Sequence, residues 1–274
     1  MSEVAFDERE NRERVASSER AFLAVSAFVF VLSTAVTIVW CASMSAMGDM
    51  EMPGGWTMSM AWMRMPGQTW LDAASTFLGM WVVMMVAMML PTLVSMLRRY
   101  RHAVAGEGET RLGWLTALVS VGYFFVWTLL GVAVYPVGVL LSIVEMREPA
   151  ISRAVPLAIG LVVLVAGLLQ FTGWKSRCLA CCRKAPGRGR FLSADAGTAW
   201  RHGLKLGLHC SRCCAGLMTI LLVIGVMDLR AMGLVALAIT LERVLPVGHW
   251  AAKEIGGVVT AAGLLLIARA TGLG

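Results

Sequence analysis

Uncharged positions along this chain gather in long blocks. Ala21–Cys41, Ala73–Leu97, Leu112–Val144 and Ala154–Trp174 contain no charged side chain, and shorter blocks follow at Cys213–Met227, Ala231–Leu241 and Ile255–Ala268. An apolar helix of roughly 18 residues or more crosses about 30 Å of hydrocarbon. The first four blocks reach that length unaided; the last three need their flanks. The pattern predicts helices over 21–41, 70–97, 112–141, 154–174, 203–227, 231–246 and 255–269. The fold class is then all-α, a polytopic transmembrane helix bundle of about seven (six to seven) helices. Glu242 and Arg243 interrupt the sixth, and Gly256, Gly257 and Gly263 loosen the seventh, so either is expected to be re-entrant or tilted.

Composition sharpens this. Hydrophobic residues make up 58% of the 274 and charged residues only 15%, with a mean hydropathy of +0.73, whereas a soluble domain is nearer a quarter charged. A net charge of +7 would ordinarily suggest nucleic acid, but its distribution excludes that partner. Arg9, Arg12, Arg14 and Arg20 precede the first block, and Arg98, Arg99, Arg101 and Arg111 lie in the 98–111 linker. Lys175, Arg177, Arg183, Lys184, Arg188, Arg190, Arg201 and Lys205 crowd 175–205, while the alternate connections hold only Arg64, then Arg147 and Arg153, then Arg230. Basic residues concentrate in cytoplasmic loops. The alternation therefore orients the chain in a cell inner membrane as a multi-pass protein, N-terminus cytoplasmic, with the lipid bilayer as its main partner. Segment 1–20 mixes acids with its arginines and precedes no small-residue cleavage site, so 21–41 is expected to be a retained anchor. The organisation expected is a charged cytoplasmic segment 1–20, a first helix 21–41, an external loop 42–69, and a membrane domain 70–270.

That external loop carries the first candidate chemistry. Met44, Met47, Met50, Met52, Met58, Met60, Met63 and Met65 fall within 22 residues. Thioether sulfur is a soft ligand that favours Cu(I) over hard cations, and it persists in an oxidising compartment where thiols would pair. Met44, Met47, Met50 and Met52 are the candidate external ligands; the alternative is an amphipathic interfacial segment. In the second helix Met80, Met84 and Met88 share a face, with Met85 and Met89 beside them. Packing is the expected role there, since Met fills irregular apolar interiors. The same face is also the one path along which a metal could cross.

Cysteine is the second feature. Of seven, Cys178, Cys181 and Cys182 form one cluster and Cys210, Cys213 and Cys214 another, while Cys41 is expected to be a small buried residue. Both clusters fall on the side assigned to the cytoplasm, where thiols stay reduced, which favours metal or redox chemistry over structural disulfides. Cys210, Cys213 and Cys214 stand at helical spacings that share a face, and nearby basic residues favour thiolate. Cysteines from two segments can close a tetrahedral site. Glu242, alone in an apolar stretch, is either a ligand or the partner of Arg212 or Arg243.

The segments FLGMWVVMMVAMMLPTLVSML (77–97), FTGWKSRCLACCR (171–183), HGLKLGLHCSRCCAGLMTILLVIGVMDLRAM (202–232) and LERVLP (241–246) resemble a bacterial family of predicted metal-binding integral membrane proteins, a domain of unknown function. The likeness covers about residues 70–270. It implies a six- or seven-helix membrane protein with a metal site, and places that site on Cys178, Cys182, His202, Cys210, Cys213, Cys214 and Glu242. Cys181 is extra to the family pattern, His209 stands where an aromatic is commoner, and Ala215 where the family has Trp. The methionine loop lies outside the likeness.

The function expected is membrane metal handling, of copper by the softness of the methionines, with zinc the alternative ion. A metallochaperone or another membrane subunit would be the protein partner. Two rivals remain: a thiol redox protein using Cys210, Cys213 and Cys214, and an accessory subunit with packed cysteines. No phosphate-binding loop, His-Glu-x-x-His or Gly-x-Ser-x-Gly occurs, which lowers the enzyme reading.

Overall fold

The computed structural model describes residues 2–46, 48, 50–52, 56–58, 62–64, 67–104, 109–183, 195–245 and 248–272, with the backbone alone at 2–15, 45, 51, 109 and 181–183. Helix α1 runs Ser2–Ser45 and is followed by a small antiparallel hairpin, β1 (Met50–Met52) with β2 (Trp56–Met58). Then come α2 (Trp70–Ala103), α3 (Glu109–Arg147), α4 (Pro149–Leu169), α5 (Gly173–Arg183), α6 (Ala196–Ile224), α7 (Leu229–Val244) and α8 (Gly248–Ala270). The protein is an all-α bundle apart from that hairpin. Among the described residues six helices are long and apolar enough to cross a membrane: α1 from Ala16, α2, α3, α4, α6 and α8.

Local chemistry sets the helix starts. Thr69 and Asp72 form a reciprocal capping box at α2, the Thr69 amide donating to Asp72 at 2.9 Å and the Asp72 amide to Thr69 Oγ1 at 3.2 Å. Asp195 accepts from the Thr198 amide at 3.1 Å and starts α6. Asp228 accepts from the amides of Arg230 and Ala231 and starts α7. Pro149 occupies the first turn of α4, where its missing N–H costs nothing.

Helix α2 runs through the centre, packed by α1, α3 and α7, and Met80, Met84, Met85, Met88 and Met89 are all buried along it. Trp81 donates from Nε1 to the Trp127 carbonyl of α3 at 2.9 Å. Two helix pairs distant in sequence are drawn close by glycine, whose lack of a side chain lets two helix backbones approach. In the α3–α6 pair Gly203 lies against Gly122 and the Val119 carbonyl, and a Cβ there would collide with that oxygen. In the α4–α8 pair a Cβ on Gly263 would stand 2.6 Å from the Leu164 nitrogen, and Gly160 and Gly167 face Ile267 and Thr260. At the end remote from the hairpin, Glu19 of α1 pairs with Arg98 of α2 at 2.5 Å, and Ser18 accepts from Arg101.

Four expectations change. Segment 1–20 is continuous with the first helix. The 42–69 loop contains a hairpin. The turn read at 142–153 shrinks to Glu148, because α3 continues to Arg147 and Pro149 restarts the chain at once. The charged stretch after 174 is not all loop: its first part is α5, an eighth helix. Of the two helices expected to be weak, α8 has full spanning length, whereas α7, with 16 residues, is shorter than the six spanning candidates.

Candidate metal centre

Helix α6 brings Cys210, Cys213 and Cys214 into the bundle, and all three are buried and outside any disulfide. Their spacings put them on one broad face, yet the sulfurs enter two different environments. Cys210 and Cys214 belong to the main core shared with α2, α3 and α7. Cys213 turns toward α5 and α8, into a small cluster with Leu179 and Ala252, and Cys178 of α5 packs against it. Cys178 and Cys213, from separate elements, thus meet in one apolar niche.

Helix α5 is fixed there by charge. Lys175 is buried, and its ammonium lies 2.7 Å from Glu242 Oε2 on α7 while donating to the Cys213 carbonyl at 2.8 Å. One side chain therefore ties α5 to α6 and α7 together. Glu242 thus pairs with Lys175, a partner that the sequence does not single out. A buried ammonium and carboxylate at this distance compensate each other's lost hydration, which neither could bear alone.

Cys210 has its own polar shell. Tyr123 Oη of α3 is 2.7 Å from its sulfur, and Arg243 of α7 donates from Nη1 to the sulfur and from Nη2 to the Cys210 carbonyl, both at 3.0 Å. A guanidinium has no acceptor, so the sulfur accepts from it. Cys214 donates to the Cys210 carbonyl at 2.8 Å.

The other candidates lie apart. His202 stacks on Tyr100 with ring centroids 5.3 Å apart. It stands eight residues before Cys210 on α6, roughly 12 Å along the axis. Cys182 lies in α5, but its side chain, like that of Cys181 and the whole of Met47, is outside the described residues. Met44 ends α1 half-buried, Met50 is exposed and Met52 is buried in β1. Cys41 is buried in the core, as expected. Among the described residues no group of three or more His, Cys, Asp and Glu converges to hold a metal. Cys178 packs beside Cys213, and Cys214 lies one turn from Cys210 in the main core.

Residues 78–266 match the family model PpoB2, copper chaperone. The chain belongs to the PpoB2 copper chaperone family. The match spans both cysteine pairs, His202, Glu242 and the α2 methionines, and leaves the hairpin outside it. No curated protein and no solved structure matches the chain. The family is thus copper-related, and copper handling in the general sense stands. From the sequence, Lys175 enters only as one of several basic residues beside the cysteines and Arg243 only as a partner for Glu242, while nothing distinguishes Tyr123.

Proposed function

We propose that this protein is a membrane-embedded Cu(I) handler that receives copper at the hairpin end and holds it on Cys178 and Cys213 before passing it on. The single observation that carries the reading is the meeting of these two cysteines, from separate helices, in one apolar niche inside the segment that matches a copper chaperone family. Copper is cargo here. Two thiolates from different helices can bind the ion and also release it by exchange with an incoming sulfur ligand, since movement of α5 would separate them.

Several features support the membrane setting. Apolar side chains such as Val25, Phe28, Val31, Leu140 and Val258 face outward on the long helices, where water would oppose them. Trp70, Trp114, Trp174 and Trp250 are exposed near helix ends, the level of the headgroups. The basic stretches favour an inner membrane with the N-terminus and α5 cytoplasmic. Met84 and Met88, in the same core as Cys210 and Cys214, are the soft groups that could relay the ion.

The test is anaerobic purification in mild detergent, loading with Cu(I) or Zn(II), and elemental mass spectrometry. Cys178→Ser/Cys213→Ser should lose near-stoichiometric copper that Cys41→Ser retains. Absence of bound copper in the parent after loading would sink the proposal. The polar shell of Cys210 favours a second reading, thiol redox with Cys214. That reading requires a reversible Cys210–Cys214 disulfide, detectable by peptide mass mapping.

A further inference from the structure

A cavity of about 1210 Å³ lies at the hairpin end of the bundle, walled by α3, α4, α6 and the turn into α7. The hairpin roofs it. In the register of β1 and β2, Met50 faces Met58 and Met52 faces Trp56. Alternate residues share a face of a strand, so one face of the hairpin carries Met50, Met52, Trp56 and Met58. Trp56, Thr57 and Met58 line the cavity, and Met52 and Met58 are buried while Met50 is exposed, so β2 forms the roof and Met58 is its inner sulfur. The roof is fixed at two points. Trp56 donates from Nε1 to the Ser152 carbonyl of α4 at 2.9 Å, and the Trp62 ring lies directly on Gly138 of α3. From below, Met227 in the α6–α7 turn lines the same space. Glu145 and Asp228 also border it against one cation, Arg230, leaving an acidic excess.

We propose that this cavity is a Cu(I) vestibule in which the thioethers of Met58 and Met227 hold the ion before it reaches the cysteines. It rests on the copper-handling reading above and adds a second, separate site. Two thioethers from elements distant in sequence open on one space, and thioether sulfur selects soft monovalent copper over hard cations. The acidic excess attracts a cation without offering the oxygen shell that Mg²⁺ or Ca²⁺ requires. The vestibule thus joins Met58, one of the loop methionines, to Met227, which the spacing does not mark.

The full chain in lipid nanodiscs allows a direct test, with Ag(I) as a redox-inert stand-in for Cu(I). Peroxide oxidation followed by peptide mass spectrometry reads each methionine. Ag(I) should protect Met58 and Met227 in the parent and equally in Cys178→Ser/Cys213→Ser. In competition with a chromophoric Cu(I) chelator, Met58→Leu/Met227→Leu should lose one equivalent and keep the cysteine-bound one. Equal oxidation of both methionines with and without Ag(I) in the parent would overturn the vestibule, and is what a lipid chain filling the cavity would give. Protection that persists while the cysteine variant keeps full copper stoichiometry would support the vestibule and remove the cysteine site instead.

Discussion

Replacing Lys175 by Met tests the arrangement that seats α5. The Lys175 and Glu242 side chains are 5% and 1% exposed, and the ammonium lies 2.7 Å from the carboxylate. Lys175→Met keeps length and apolar bulk but leaves the Glu242 carboxylate buried without this cation. Removing one partner of a buried pair costs about 3–5 kcal/mol, whereas replacing both by apolar groups is often neutral or stabilising. The Cys213 carbonyl also loses its donor, a further cost of about 1 kcal/mol. Lys175→Met should therefore be strongly destabilised, and Lys175→Met/Glu242→Leu should recover most of the loss. Reversible unfolding in mixed micelles titrated with SDS, followed by tryptophan fluorescence, gives both values, and the double-mutant cycle isolates the pair. Maleimide labelling of Cys178 should accelerate in the single variant as α5 loosens. The reasoning is refuted if Lys175→Met falls within roughly 1 kcal/mol of the parent, the range of an exposed pair, or if the double variant is no better than the single.

Two further outcomes follow from the packing and the caps. Gly203→Val should disrupt the α3–α6 contact, because its side chain would occupy the space of the Val119 carbonyl; overpacking costs about 1–3 kcal/mol, and faster amide exchange in α3 and α6 would report it. Asp228→Ala should lose about 1 kcal/mol with the cap of α7, and Asp228→Asn should keep most of it, both read by the same SDS titration.

The long helices were legible because lipid makes length and lack of charge nearly sufficient signals. Boundaries were not: α6 begins six residues before His202 because Asp195 caps it, a Ser-Ala-Asp-Ala-Gly-Thr signal that was present but lay in a charged stretch. Helix α5 escaped for a related reason. Its sequence, GWKSRCLACCR, is too polar to look membrane-associated, and its seat depends on a partner carboxylate 67 positions later, in α7. The hairpin was hidden in short strands, Met-Glu-Met and Trp-Thr-Met, whose alternation is too brief to stand out. Cysteine spacing gave the shared face of α6 but not its division between two niches, since that depends on which helices stand opposite. Methionine in α2 proved to be core, as the packing argument held.

The glycine-lined contacts also bear on how the chain is made. Helix α4 emerges long before α8, yet its closest neighbour is α8, against which Gly160 and Gly167 lie. During synthesis that small-residue groove must wait, occupied by lipid or by a helper protein, until the final helix is inserted. Helix α3 waits likewise for α6. Assembly of this bundle is therefore completed from its C-terminal half, and a ribosome halted before Gly248 would leave a chain able to close α3 on α6 but with the α4 groove still open.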